Sequence, residues 1–116
     1  MNFEDRFHKL SEFYILRKEE NIYEYIKDNK NLIDLLNITR PHLKEAFPQG
    51  KFELEMFHDL SGEGNDHLLL NIYVDHETFN NGFMDKIYDI DMKILPFQKE
   101  MGLVMALNLM PRLNTN

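Results

Sequence analysis

Two stretches decide the fold: Lys51-Phe52-Glu53-Leu54-Glu55-Met56-Phe57 and His67-Leu68-Leu69-Leu70-Asn71-Ile72-Tyr73-Val74. In the first, Phe52, Leu54 and Met56 alternate with Glu53 and Glu55, the mark of a strand with one buried and one wet face. In the second, Leu68, Leu70, Ile72 and Val74 fall on one side and Asn71 and Tyr73 on the other. Between them Ser61-Gly62-Glu63-Gly64-Asn65 supplies turn chemistry, so the pair reads as an antiparallel hairpin with a long loop.

Upstream of the hairpin the period is helical. Phe3, Phe7, Leu10 and Tyr14 recur at spacings of four, three and four, one face of an amphipathic helix. Phe13 and Ile15 lie off that stripe, so this helix is expected to have more than one neighbour, a second chain among the candidates. Residues 19–30 carry Ile22, Tyr23 and Ile26 in a second helix, and Leu32, Ile33, Leu35 and Leu36 open a third. Pro41 lacks the N–H that a helix interior needs. The reading is therefore a break near Asn37 and a restart with Thr39 as N-cap and Leu43, Ala46 and Phe47 facing the core.

Downstream, Phe79, Phe83, Ile87, Ile90 and Ile94 form a stripe that reads as one helix, weak at Asn81-Gly82 and ended by Pro96. Asp75 or Thr78 caps its start, and His76 belongs to that helix. Residues 102–110 are almost wholly apolar and stop at Pro111, so they read as a last strand, covered on both faces. The expected fold class is α+β: N-terminal helices followed by β-β-α-β, a three-stranded sheet with helices on one face. It spans a single domain, residues 1–116, with a helical part (1–47) and a β-β-α-β part (51–110). No repeat or linker divides the chain.

Pro41-His42-Leu43-Lys44-Glu45-Ala46-Phe47, Phe52-Glu53-Leu54-Glu55, Leu70-Asn71-Ile72-Tyr73 and the C-terminal strand together resemble small uncharacterised prokaryotic proteins of helix-strand-strand-helix-strand layout. The resemblance covers residues 32–110. It implies a cytoplasmic prokaryotic protein and brings no catalytic residues.

Charge narrows the partners. Residues 1–50 are near neutral, with eight basic and nine acidic side chains, whereas residues 51–116 hold five basic and eleven acidic. Phosphate neutralisation needs a basic stripe, so DNA and RNA are not expected as ligands, and an anionic membrane surface is disfavoured in the same way. A charged partner protein would be basic. No apolar run approaches the ~20 residues of a membrane span, and Met1-Asn2-Phe3-Glu4-Asp5-Arg6 lacks signal-peptide grammar. Cysteine is absent, which removes disulfides, thiolate metal sites and thiol nucleophiles. The expected location is cytoplasmic.

Candidate chemistry gathers at the hairpin tip, where His58, Asp59, Glu63, Asp66 and His67 combine two imidazoles with three carboxylates. Such nitrogen and oxygen donors suit zinc, iron or manganese, and a metal-dependent hydrolase or metal-binding protein is the alternative reading. The spacing matches no metal signature, and Asp, Asn and Gly are also what a surface loop uses to turn. By strand parity His58 follows the core side while His67 falls on the wet side, so the rings diverge unless a bulge intervenes. No nucleophile elbow or phosphate-binding loop is present, and no cofactor is expected. Among the methionines, Met84 and Met92 precede the last strand and Met101, Met105 and Met110 lie at it, either filling core gaps or offering an adaptable surface. The favoured function is a small non-enzymatic protein–protein interaction module, a homodimer whose interface includes Tyr73, Val104 and Ala106 on the second face of the sheet.

Overall fold

The computed structural model describes residues 1–115. The chain runs α1 (Phe3–Lys9), a 3-10 turn (Leu10–Glu12), β1 (Ile15–Leu16), α2 (Glu19–Asp28), α3 (Asn31–Ala46), β2 (Lys51–Phe57), β3 (His67–Val74), α4 (His76–Phe79), α5 (Phe83–Met101) and β4 (Leu107–Leu113). This is a mixed α+β fold with four strands, one more than the sequence reading expects. The strands lie side by side in chain order. β1 pairs with β2 in parallel, β2 with β3 antiparallel, and β3 with β4 in parallel.

The extra strand explains the off-stripe residues of the first helix. Asn2 caps α1 by accepting the Asp5 N–H at 2.8 Å, but the helix ends at Lys9, well short of Tyr14. Ile15 and Leu16 then pair with Glu53 and Leu54, and the Arg17 N–H donates to the Leu54 carbonyl at 2.9 Å. Phe13 stacks on Phe52 with ring centroids 4.9 Å apart. The additional neighbour is β2 of the same chain. Tyr14 is buried among apolar residues, where its hydroxyl donates to the Leu36 carbonyl at 2.7 Å; that burial pushes its ionisation far above the ordinary tyrosine range.

One continuous core joins Phe7, Leu10, Ile22, Ile26, Leu32, Ile33, Leu36 and Leu43 to Phe52, Leu54, Leu68, Leu70 and Ile72 of the sheet and to Phe83, Ile87, Ile90 and Ile94 of α5. The sheet residues in that set all point one way, because side chains alternate along a strand. The helices therefore cover one face of the sheet. Arg6 of α1 pairs with Asp34 of α3.

The expected helix break and restart around Pro41 and the expected stops at Pro96 and Pro111 are all overturned, each for a local reason. α3 is a single helix through Asn37, Thr39 and Pro41. Thr39 is no N-cap; it is buried, and its Oγ1 donates to the Leu35 carbonyl at 2.7 Å. Pro41 is exposed, so the carbonyl four residues back, at exposed Asn37, can turn to water. Burying Leu32, Ile33, Leu35, Leu36 and Leu43 at about 1.5–3 kcal/mol each outweighs a proline cost of about 3 kcal/mol. Pro41→Ala should accordingly stabilise the fold by about 1–2 kcal/mol in urea unfolding, the regained helical bond exceeding the entropy the chain recovers when unfolded.

Pro96 is likewise exposed, and α5 runs past it to Met101 because Ile94 and Gln98 remain buried on the core side. The helix closes at Gly102 (φ 71°), with the Leu103 N–H on the Gln98 carbonyl at 2.7 Å, a glycine termination. The weak point at Asn81-Gly82 is a true break that splits α4 from α5. Asp75 caps α4 through the Thr78 N–H at 2.8 Å.

β4 starts at Leu107 instead of near Gly102, and it passes through Pro111. The Leu68 N–H bonds to the Ala106 carbonyl and the Asn114 N–H to the Val74 carbonyl, both at 2.8 Å. In a parallel ladder that phase directs the even-numbered residues of β4 toward β3 and the odd ones toward the free edge. Pro111 is odd, so its missing donor falls on the edge side, where a strand tolerates proline.

Candidate functional site

At the hairpin tip the structure brings part of the expected cluster together. β2 and β3 pair as far as Phe57 opposite His67. The His58 Nδ1 lies 3.6 Å from Asp66 Oδ2, and Asp66 Oδ1 accepts the Asp59 N–H at 2.6 Å. Asp59 is spent on the turn itself. Its Oδ1 accepts the Ser61 hydroxyl at 2.6 Å and the Ser61 N–H at 2.9 Å, and its Oδ2 accepts the Asn65 N–H at 3.2 Å. Those donors, the Ser61 hydroxyl first, hold its carboxyl below the usual range. Glu63 meets Asp59 through its backbone N–H. His67 turns to the open face of the sheet, stacked on Phe57 at 4.8 Å, with Nδ1 3.0 Å from the Asn65 carbonyl. Among the described residues no three His, Asp or Glu side chains converge as metal ligands would. A shallow cleft of about 540 Å³ beside the tip is lined by Tyr25, Phe57, Asp66, His67, Leu103 and Met105.

The expected interface trio does not share one surface. Tyr73 lies on the open sheet face. Val104 and Ala106 precede β4, because α5 uses up the residues through Met101; Val104 is exposed in the turn, and Ala106 is buried with its carbonyl bonded to Leu68.

What occupies the centre of the open face is a polar network. Asn71, fully excluded from solvent, donates through Nδ2 to Glu53 Oε1 at 3.2 Å and to Glu55 Oε2 at 2.6 Å. Its Oδ1 accepts Arg112 Nε–H at 3.0 Å. Arg17 lies 3.7 and 3.9 Å from the same two carboxylates. Tyr73 donates to Glu53 Oε1 at 3.4 Å, and its ionisation is raised by partial burial and then by the Glu53 charge. Glu53, Glu55 and Asn71 are recognisable from parity as the wet side of the sheet. The two arginines that complete the set are not, since Arg17 follows a two-residue strand and Arg112 lies beyond Pro111. Each polar group of this network already has its partner, so the centre of the face is closed. Leu69 is buried on this same face.

Both sheet edges are blunted as well: β1 is two residues long, and β4 lacks a donor at Pro111. Short edge strands and edge prolines both discourage strand addition.

Large apolar side chains are exposed singly at Ile15, Phe57, Leu60 and Met105, and as a continuous stripe on α5. At 3.6 residues per turn, Phe83, Ile87, Ile90, Ile94 and Gln98 form the buried side, while Lys86, Ile90 and Lys93 border His42, Glu45 and Ala46 of α3. On the flank turned away from α3, Met84, Tyr88 and Met92 are 58%, 63% and 49% exposed, with Leu95 half-buried among them. Asp91 sits inside this stripe and, among the described residues, has no hydrogen-bond donor or cation beside it. Burial raises its carboxyl above the usual range. Among the described residues no helix is long and apolar enough to cross a membrane. Comparison with protein-family models, with curated proteins and with solved structures gives no match to this chain.

Proposed function

We propose that this chain is a small non-enzymatic protein–protein interaction module that pairs with a second copy of itself, in the cytoplasm of a prokaryote. The observation that carries the reading is the outer flank of α5. Three large apolar side chains stand about half or more in water at i, i+4 and i+8, a spacing that suits a partner helix. Methionine at two of those positions adapts to an opposing surface at little cost. The competing surfaces favour this choice, because the sheet face has satisfied its own polar groups and both edges are blunted. A hydrolytic role draws less support, since the Asp59 and Asp66 carboxylates of the tip are engaged by backbone and hydroxyl donors. Nucleic acid is disfavoured by the acidity of residues 51–116.

Sedimentation velocity between about 5 and 500 µM tests the reading. The mass should rise from the 13.9 kDa of one chain toward twice that value. Tyr88→Glu should weaken association at least tenfold and leave the helical signal unchanged, because the ring is exposed in the single chain. A mass of one chain at every concentration would remove the proposal.

A further inference from the structure

We infer that the second copy docks antiparallel, α5 against α5, about a two-fold axis near Leu95, so that Asp91 of each copy meets Lys99 of the other. The inference rests on the self-association reading and adds its geometry. The outer stripe of α5 carries one carboxylate, at Asp91, and one ammonium, at Lys99, eight residues further on. Neither has an ion-pair partner among the described residues. Eight residues of helix span about 12 Å, too far for the two to meet within one chain. Parallel pairing in register would set acid against acid and base against base. Antiparallel pairing reverses the order and sets each acid against a base.

The residue midway between the two charges is Leu95, and the same axis accounts for the remaining exposed groups. Residues 88 and 102 are equidistant from 95, so the Tyr88 ring of one copy reaches Gly102 of the other. Gly102 leaves open space where a side chain would stand, with no atom within 4 Å of an ideal Cβ. Met92 flanks the axis, and Met84 extends past the end of the opposing helix. The overlap from residue 89 to 101 is about 20 Å long. With the Tyr88 contacts it buries on the order of 1,000 Å² in total, the low end for a specific interface. An interface of that size belongs with weak, transient associations. The asymmetry of charge also sets the specificity, because a carboxylate half-buried in an apolar stripe rejects any partner helix without a cation at that point.

Two measurements test this geometry. In low salt, Asp91→Lys and Lys99→Asp should each weaken association about tenfold or more in sedimentation velocity, and the double exchange should return it to within about threefold of the parent. Half-molar salt should narrow these differences. Because the chain has no cysteine of its own, Leu95→Cys under mild oxidation should form a disulfide-linked dimer, while Tyr88→Cys should not; helix axes 8–10 Å apart bring only the residue on the axis within disulfide range. Circular dichroism confirms that each variant is folded. A dimeric parent whose Asp91→Lys variant associates as tightly, or whose Tyr88→Cys variant cross-links as fast as Leu95→Cys, would overturn the antiparallel pairing alone. A monomeric parent at 500 µM would overturn the self-association beneath it.

Discussion

Asn71→Leu should lower unfolding free energy by about 3 kcal/mol, a fall in melting temperature of about 12 °C for a domain of this size. Leucine has the same branched shape and number of side-chain heavy atoms as asparagine and is somewhat larger, so no cavity accompanies the change. The loss is chemical. Both amide hydrogens go to carboxylates, Glu53 at 3.2 Å and Glu55 at 2.6 Å, and the amide oxygen takes the Arg112 donor at 3.0 Å. Hydrogen bonds to charged groups contribute about 1.5–3 kcal/mol each. The full sum is not expected, because the Glu53 and Glu55 side chains keep some contact with water and Arg17 still stands near both. Urea unfolding with an unchanged slope and a lower midpoint is the expected record. A loss under about 1 kcal/mol would show that the network does not hold the open face closed.

Phe83→Ala should cost more, about 3–5 kcal/mol. Phe83 is 1% exposed, and its ring meets Phe47, at the end of α3, edge-on at 5.3 Å and Phe79 of α4 at the same distance. Truncation empties the joint where α3, α4 and α5 meet and leaves the Phe47 and Phe79 rings facing the space. Phe83→Leu should recover most of the loss, since it keeps the volume near the ring's first carbons. Equal destabilisation by leucine and alanine would indicate that ring geometry, rather than volume, holds α5 in place.

The hairpin is legible because one of its faces is buried: alternation of Phe52, Leu54 and Met56 with glutamates admits one register relative to the core, and Leu68, Leu70 and Ile72 answer it. The core stripe of α5 is legible for the same reason at helical period. β1 is not, since two residues, Ile15 and Leu16, are too few to show any period. The prolines mislead in a consistent way. A proline marks a stop only if its missing donor would have been needed, and Pro41, Pro96 and Pro111 all place that gap toward solvent. Their misreading then propagates to the surfaces. With α5 thought to end at Pro96, Lys99 falls outside the helix and cannot be seen to share a stripe with Asp91. The same early stop starts the last strand near Gly102 and draws Val104 and Ala106 onto a sheet face they do not join, while a strand ending at Pro111 drops Arg112 from the polar network. At the tip, parity places His67 on the wet side of the sheet, and the stacking of His67 on Phe57 agrees with that placement.

The most direct test is a dilution series followed by amide chemical shifts, from about 500 µM to 10 µM. If the outer flank of α5 receives a second copy, shifts should concentrate at Tyr88, Asp91, Met92, Leu95, Lys99 and Gly102, while the Glu53, Asn71 and His58–His67 amides stay still. Spectra that do not change on dilution, or changes confined to the open sheet face or the hairpin tip, would contradict that account.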